Sequence, residues 1–212
     1  AGIINNKHIQ KWDEPYIRFG WFDFIDDLEV SGALLTAVED WARQCKLKAL
    51  HGPLGFTDLD REGMLIEGFE ELVTLATLYN FPYYPEHMAQ HGFQKDIDWI
   101  EYELKVPSSL GPRITKARDI ILQRNNLRLL PVKNKRELLS YAPKVFQLIN
   151  QAYSHLYGAV PLSEREIKHY TDAYFGFVHP DFIPLIVDAK ENLVAFGVAI
   201  PSLSQALQRS RG

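Results

Sequence analysis

The sequence predicts an α/β protein, and three observations lead there. Segments with strand character and segments with helical spacing alternate through the first half of the chain. Hydrophobic residues make up 46% and aromatic residues 12%, which is ample for a packed core. A new set of elements then begins after a proline- and glycine-bearing break at VPSSLGP, residues 106–112.

The first residues, AGIINN, open like the middle of a strand. Residues 16–25, YIRFGWFDFI, are aromatic-rich around Gly20, which predicts a strand with a bulge. Asp26 and Asp27 offer an N-cap, and Glu29 lies three residues after Asp26. Val30, Leu34, Ala37, Val38, Trp41 and Cys45 recur at helical spacing, which predicts an amphipathic helix with Cys45 as a small core residue on its buried stripe. Residues 46–51 read as a short strand. Pro85 starts a short helix that Gly92 ends. Residues 96–105 alternate between two faces, which predicts another strand. Beyond the break come a helix over 114–123, a strand over 127–132 and a helix over 135–156 interrupted near Pro143. Ser163 and Glu166 form a capping box, and residues 182–188 and 193–200 flank AKEN as a hairpin. AFGVAIPS in that hairpin resembles AGIINN, with Gly197 matching Gly2, which predicts two staggered pieces of one repeated fold.

A length of 212 residues suits one large domain or two small ones. A net charge of −4 argues against sequence-independent nucleic-acid binding. The basic strip Arg113, Lys116, Arg118, Arg124, Arg128, Lys133, Lys135 and Arg136 is either a solvated helix face or a weak anion-facing surface. No apolar run approaches the roughly 18 residues of a membrane span. A single cysteine, Cys45, forms no internal disulfide and favours a reducing cytoplasm. Without an initiator methionine, the chain reads as an internal fragment.

The stretch from His51 to Phe93 carries the candidate site. Gly52, Gly55, Gly63 and Gly68 break up a run holding Asp58, Asp60, Glu62 and Glu67, and the cluster YNFPYYP follows. So many glycines do not suit a core helix, and so many rings do not suit a solvated loop. Such a segment either lines a cleft, with backbone close to a ligand, or packs as a long loop over the core.

RFGWFDFIDDLEVSGALLTAVEDWA, HGPLGFTDLDREGMLIEGF and PYYPEHMAQHGF together resemble the YghO-like group of uncharacterised bacterial proteins in the GNAT superfamily. That superfamily comprises acyl-CoA-dependent N-acyltransferases. The resemblance implies a GNAT-like mixed sheet flanked by helices, in two partial domains: later strands and helices of a first domain over 1–105, a linker at 106–112, and the opening of a second over 113–212. It implies acyl transfer to an amine, with acetyl-CoA or another acyl-CoA as cofactor of the intact parent. The superfamily's pyrophosphate loop would fall on residues 26–32, where Asp26, Asp27 and Glu29 would face the phosphates and only Gly32 fits. No recognisable CoA loop is therefore present. Gly92-Phe93 matches a superfamily pair, but Met88 stands where a proton-donating tyrosine is usual.

Amine acylation needs a base for the ammonium proton and an acid for the thiolate. Asp58 is the preferred carboxylate because GFTD follows a strand end, where α/β sites collect; Tyr84 is the candidate acid. Gly52, Gly55, Phe56, Asp60, Tyr79 and Tyr83 are candidate substrate-binding residues, and residues 52–60 and 79–84 are expected to converge on one concave surface. His87 and His91 have i, i+4 spacing but no evident third ligand, so no metal site is expected. The expected partner is a small molecule. The alternative is a ligand-sensing or regulatory module on a degenerate GNAT fold.

Overall fold

The computed structural model describes residues 1–74, 77–174 and 178–210. They form a mixed α/β protein with two three-stranded sheets. Two units separate: the first holds Ala1–Ile100, Leu156–Val160 and the stretch from Ser202, and the second holds Glu101–His155 and Pro161–Pro201.

In the first unit, β1 (Gly2–Ile3) runs antiparallel to β2 (Tyr16–Phe19), and β3 (Ala49–His51) runs parallel to β2 on its other side. As the middle strand, β2 buries Ile17, Arg18 and Phe19. Between β1 and β2 lies α1 (Asn6–Trp12), whose first turn is capped by Asn5 accepting from the amides of Lys7 and His8. The sequence reading missed this helix, because its polar residues carry little apolar periodicity. The parallel pairing of β2 with β3 requires a crossover, which α2 (Leu28–Gln44) supplies. Asp27 caps α2 by accepting from the amides of Glu29 and Val30, as the sequence predicts.

The buried face of α2 differs from the predicted stripe. Ser31, Leu35 and Ala42 are buried, whereas Leu34, Trp41 and Cys45 are exposed. Small residues at 31 and 42 let the helix approach its neighbours closely, so the larger side chains turn outward. Leu35 joins Phe19 and Met88 in the core, with Phe22, Val38, Leu50, Met64 and Phe93 packed against it. Met88 belongs to α3 (Tyr83–Gln90), which ends before Gly92 at φ +82°. The predicted bulge does not form; β2 stops at Phe19, and a Cβ on Gly20 would lie 2.4 Å from the Leu54 carbonyl oxygen.

No strand forms over residues 96–105, among the described residues. Alternation prepares a strand, but a strand persists only where its backbone groups find a ladder partner, and none pairs here.

The second unit begins with α4 (Pro112–Arg124), β4 (Arg128–Leu130) and α5 (Lys135–Ala152). The expected interruption of α5 at Pro143 is absent, and the helix is continuous. Leu139, whose carbonyl loses the Pro143 partner, is exposed, so water can serve it. The Ser163–Glu166 capping box opens α6 (Glu164–Tyr174), with Glu166 accepting from the Ser163 amide at 2.6 Å. The hairpin is β5 (Leu185–Val187) and β6 (Leu193–Phe196), and β4-β5-β6 is antiparallel throughout. Gly2 opens β1 and Gly197 follows β6; the first sheet contains a parallel pair and the second is antiparallel throughout. The last helix, α7 (Ser204–Ser210), goes with the first unit, where Ser204 Oγ donates to the Val73 carbonyl at 2.6 Å. Among the described residues, no helix is long and apolar enough to cross a membrane.

Candidate functional site

An arginine inside a three-stranded sheet is costly unless its charge is compensated. Arg18 sits at the middle of β2, beside Ile3 on one strand and His51 on the other, and is 2% exposed. Its guanidinium donates to the carbonyls of Gly55 at 3.1 Å and Gly158 at 2.9 Å. Its Nε has no hydrogen-bond partner among the described residues. The carboxylates of Glu62, Asp58 and Glu14 supply compensating negative charge.

The turn after β3 delivers two of those carboxylates. Gly55 is required there because a Cβ would lie 2.1 Å from the Asp60 Cβ. That space lets Asp60 fold back and accept from the amides of Phe56 at 2.7 Å and Thr57 at 3.0 Å. Asp58 and Glu62, both half-buried, lie on this turn within electrostatic reach of Arg18. Burial raises the Asp58 carboxyl, while Arg18 and Lys11 pull it down. Burial, with Asp58 adding repulsion, pushes Glu62 up to about 7 against the pull of Arg18. A carboxyl poised at neutral pH is suited to exchange protons.

Two histidines feel the charge of Arg18. His8, on α1, is 2% exposed and is lowered to about 4 by burial, with Arg18, His51 and Lys11 adding to the effect. Its 3.5 Å approach to Glu14 is therefore a polar contact near neutrality rather than an ion pair. His51, at the end of β3, is lowered by burial and Arg18, and Asp96 opposes them. Its Nε2 lies 2.6 Å from the Tyr157 hydroxyl, which donates in turn to Asp96. Burial and that bond to Asp96 raise the Tyr157 phenol. One ligand atom each from His8, Glu14 and His51 lies within 4.8 Å of the others.

The predicted site residues divide between this cluster and structural duties. Asp58 is in it. Asp60 and Gly55 shape its turn, and Phe56 is exposed, its carbonyl accepting from Asn5 Nδ2 at 2.7 Å. Gly52 admits β2 rather than a ligand, since its Cβ would lie 2.3 Å from the Phe19 carbonyl oxygen. Tyr84 is buried against Phe24, ring centroids 4.2 Å apart; its hydroxyl donates to Asp23 and accepts from the Phe24 amide. Burial and Asp23 push its phenol up to about 12. Tyr83 donates to the Phe24 carbonyl at 2.6 Å, and Tyr79 is exposed beside Phe81. Asn80 accepts from the Leu65 amide at 2.6 Å and donates to its carbonyl at 3.1 Å, a contact that lies beyond the 52–60 stretch expected to meet the aromatic cluster. No bond or ring contact among the described residues joins Asp58 to the tyrosines.

Sequence reasoning overlooked Arg18, His8, Glu14 and Tyr157. Only Arg18 left a local signal, as a lone cation in an aromatic strand. It also missed Ser31, which is fully buried and lies 2.9 Å from His87 Nδ1 and 2.8 Å from His91 Nε2, while His87 Nε2 reaches Asp26 at 3.0 Å. This Ser–His–Asp chain is a staple between α2 and α3; with the hydroxyl enclosed, no substrate reaches it. Both histidines are thereby engaged with Ser31.

The chain is similar to protein YghO of Escherichia coli (strain K12), at 25% identity over 210 residues. The alignment covers 99% of this chain and 53% of that protein, so the chain spans about half the length of the curated relative it matches. No family model matches the chain, and no solved structure matches it.

Proposed function

We propose that the Arg18–Asp58–Glu62 cluster is the acid–base centre of an N-acyltransferase-like protein that moves an acyl group from acyl-CoA to an amine. The observation that supports this reading is Glu62, a half-buried carboxyl pushed up to about 7 beside Asp58 and Arg18. Asp58 would attract the ammonium of the acceptor, and Glu62 would take its proton. The freed amine then attacks the thioester carbonyl: a C–N bond forms, the C–S bond breaks, and CoA leaves as a thiolate that takes the proton the acylated nitrogen gives up. The resemblance of the chain's motifs to the GNAT superfamily supports the donor.

A second reading, a ligand-sensing module, has an observation of its own. The amides of Glu29 and Val30 at the start of α2 are already taken by the Asp27 carboxylate, where an acyltransferase would present them to CoA phosphates. The deciding experiment adds acetyl-CoA to the chain and to its full-length parent, follows the heat of binding, and measures free thiol across a panel of amines. Turnover that falls at least tenfold in Glu62→Gln supports the enzyme. Binding of amines without thiol release supports the sensor, and no binding of donor or amine sinks both.

A further inference from the structure

We propose that His8, Glu14 and His51 form a binding site for a divalent transition-metal ion of the zinc class. Two imidazoles and one carboxylate are a donor set suited to zinc with one position left for water or a ligand. Three different elements bring them together. His8 is fixed on α1 by the Asn5 cap, Glu14 follows Asp13 in the left-handed region at φ 56°, and His51 ends β3. Their ligand atoms lie within 4.8 Å of one another, close enough for modest side-chain rotation to reach coordination distance.

Two buried nitrogens without hydrogen bonds point to an ion. His8 Nε2 and His51 Nδ1 are buried and have no hydrogen-bond partner among the described residues. A buried polar atom without a hydrogen bond carries a desolvation cost, and two on neighbouring rings are unusual. The ring centroids are 6.2 Å apart. His51 also has its other nitrogen fixed by the Tyr157 hydroxyl, with Asp96 behind it, an arrangement that orients a metal-bound imidazole. The Glu14 side chain is 39% exposed, which gives an ion a route in from solvent. The guanidinium of Arg18 and the ammonium of Lys11 oppose a cation at His8, Asp96 favours one at His51, and Glu14 supplies the negative charge among the ligands themselves.

The inference is independent of acyl transfer, because its test reads metal binding alone. The chain is stripped with a chelator, dialysed, and titrated with Zn²⁺ by calorimetry and with Co²⁺ by visible absorption. The expected result is saturable binding of one ion per chain, with a Co²⁺ spectrum of low coordination number. Glu14→Gln and His51→Gln should each weaken Zn²⁺ binding by at least about tenfold, while exposed His179→Ala leaves it unchanged. Circular dichroism shows whether each variant folds; should His51→Gln fail to fold, Glu14→Gln on its partly exposed turn decides. No saturable binding, or a loss smaller than tenfold in the folded variants, overturns the proposal.

Discussion

Glu62 binds its proton more tightly in the folded chain than in the unfolded one, and stability must follow. Its carboxyl rises from an ordinary 4.5 to about 7, chiefly through burial. The contribution is present in full below about pH 4.5 and is lost as pH climbs through about 7. Glu62→Gln removes this loss. Urea unfolding from pH 4.5 to 7.5 should therefore show the wild type falling relative to the variant, by on the order of 1–2 kcal/mol once solvent on the open side is allowed for. Parallel curves would show that Glu62 is ordinarily solvated. Ser31 makes a second residue-scale case. Removing its hydroxyl leaves two histidine nitrogens without their partner inside the α2–α3 contact, so Ser31→Ala should lower stability by about 1–3 kcal/mol. A thermal midpoint unchanged from wild type would show that the staple contributes nothing.

At the scale of elements, α2 shows both what the sequence discloses and what it hides. Its start is legible because a cap acts locally: Asp27 lies two and three residues from the amides it serves. Asp27→Ala should cost about 1 kcal/mol, read as a fall of about 2–4 °C in thermal midpoint. An unchanged midpoint would mean that packing alone holds the helix start. Its buried face is illegible, because hydrophobicity ranks Leu34 and Trp41 above Ser31 and Ala42, whereas close approach selects the smaller pair. Residues 96–105 fail for a related reason, since alternation describes a strand's faces and says nothing of a partner. The capping box at Ser163 and the AKEN hairpin were legible because each is closed by neighbours in sequence. The site was not, apart from Asp58 and the glycine-rich turn. Arg18 meets Gly55 and Gly158, and His8 meets His51, across separations that no spacing rule registers.

At the scale of the molecule, the first unit is completed by residues far along the chain. Lys11 Nζ and Trp12 Nε1 both donate to the Ala159 carbonyl, at 2.8 and 3.0 Å, and Gly158 and Tyr157 complete the surroundings of Arg18 and His51. The sequence analysis did not foresee this return, which brings Leu156–Val160 back to the unit formed by Ala1–Ile100. A fragment of residues 1–105 should thus unfold with poor cooperativity. A peptide spanning residues 150–163, added in trans, should sharpen the transition. A fragment as cooperative as the whole chain, indifferent to the peptide, would show that the return is dispensable.

The same return fixes an order of events during biosynthesis. When β2 leaves the ribosome, the carbonyl of Gly158 that Arg18 will bond has not yet been made. At about 5–20 residues per second, the stretch Leu156–Val160 emerges several seconds after Ala1–Ile100. Over that interval the nascent polypeptide carries an arginine whose bond to the Gly158 carbonyl cannot yet form, so the centre of the sheet stays short of one hydrogen bond.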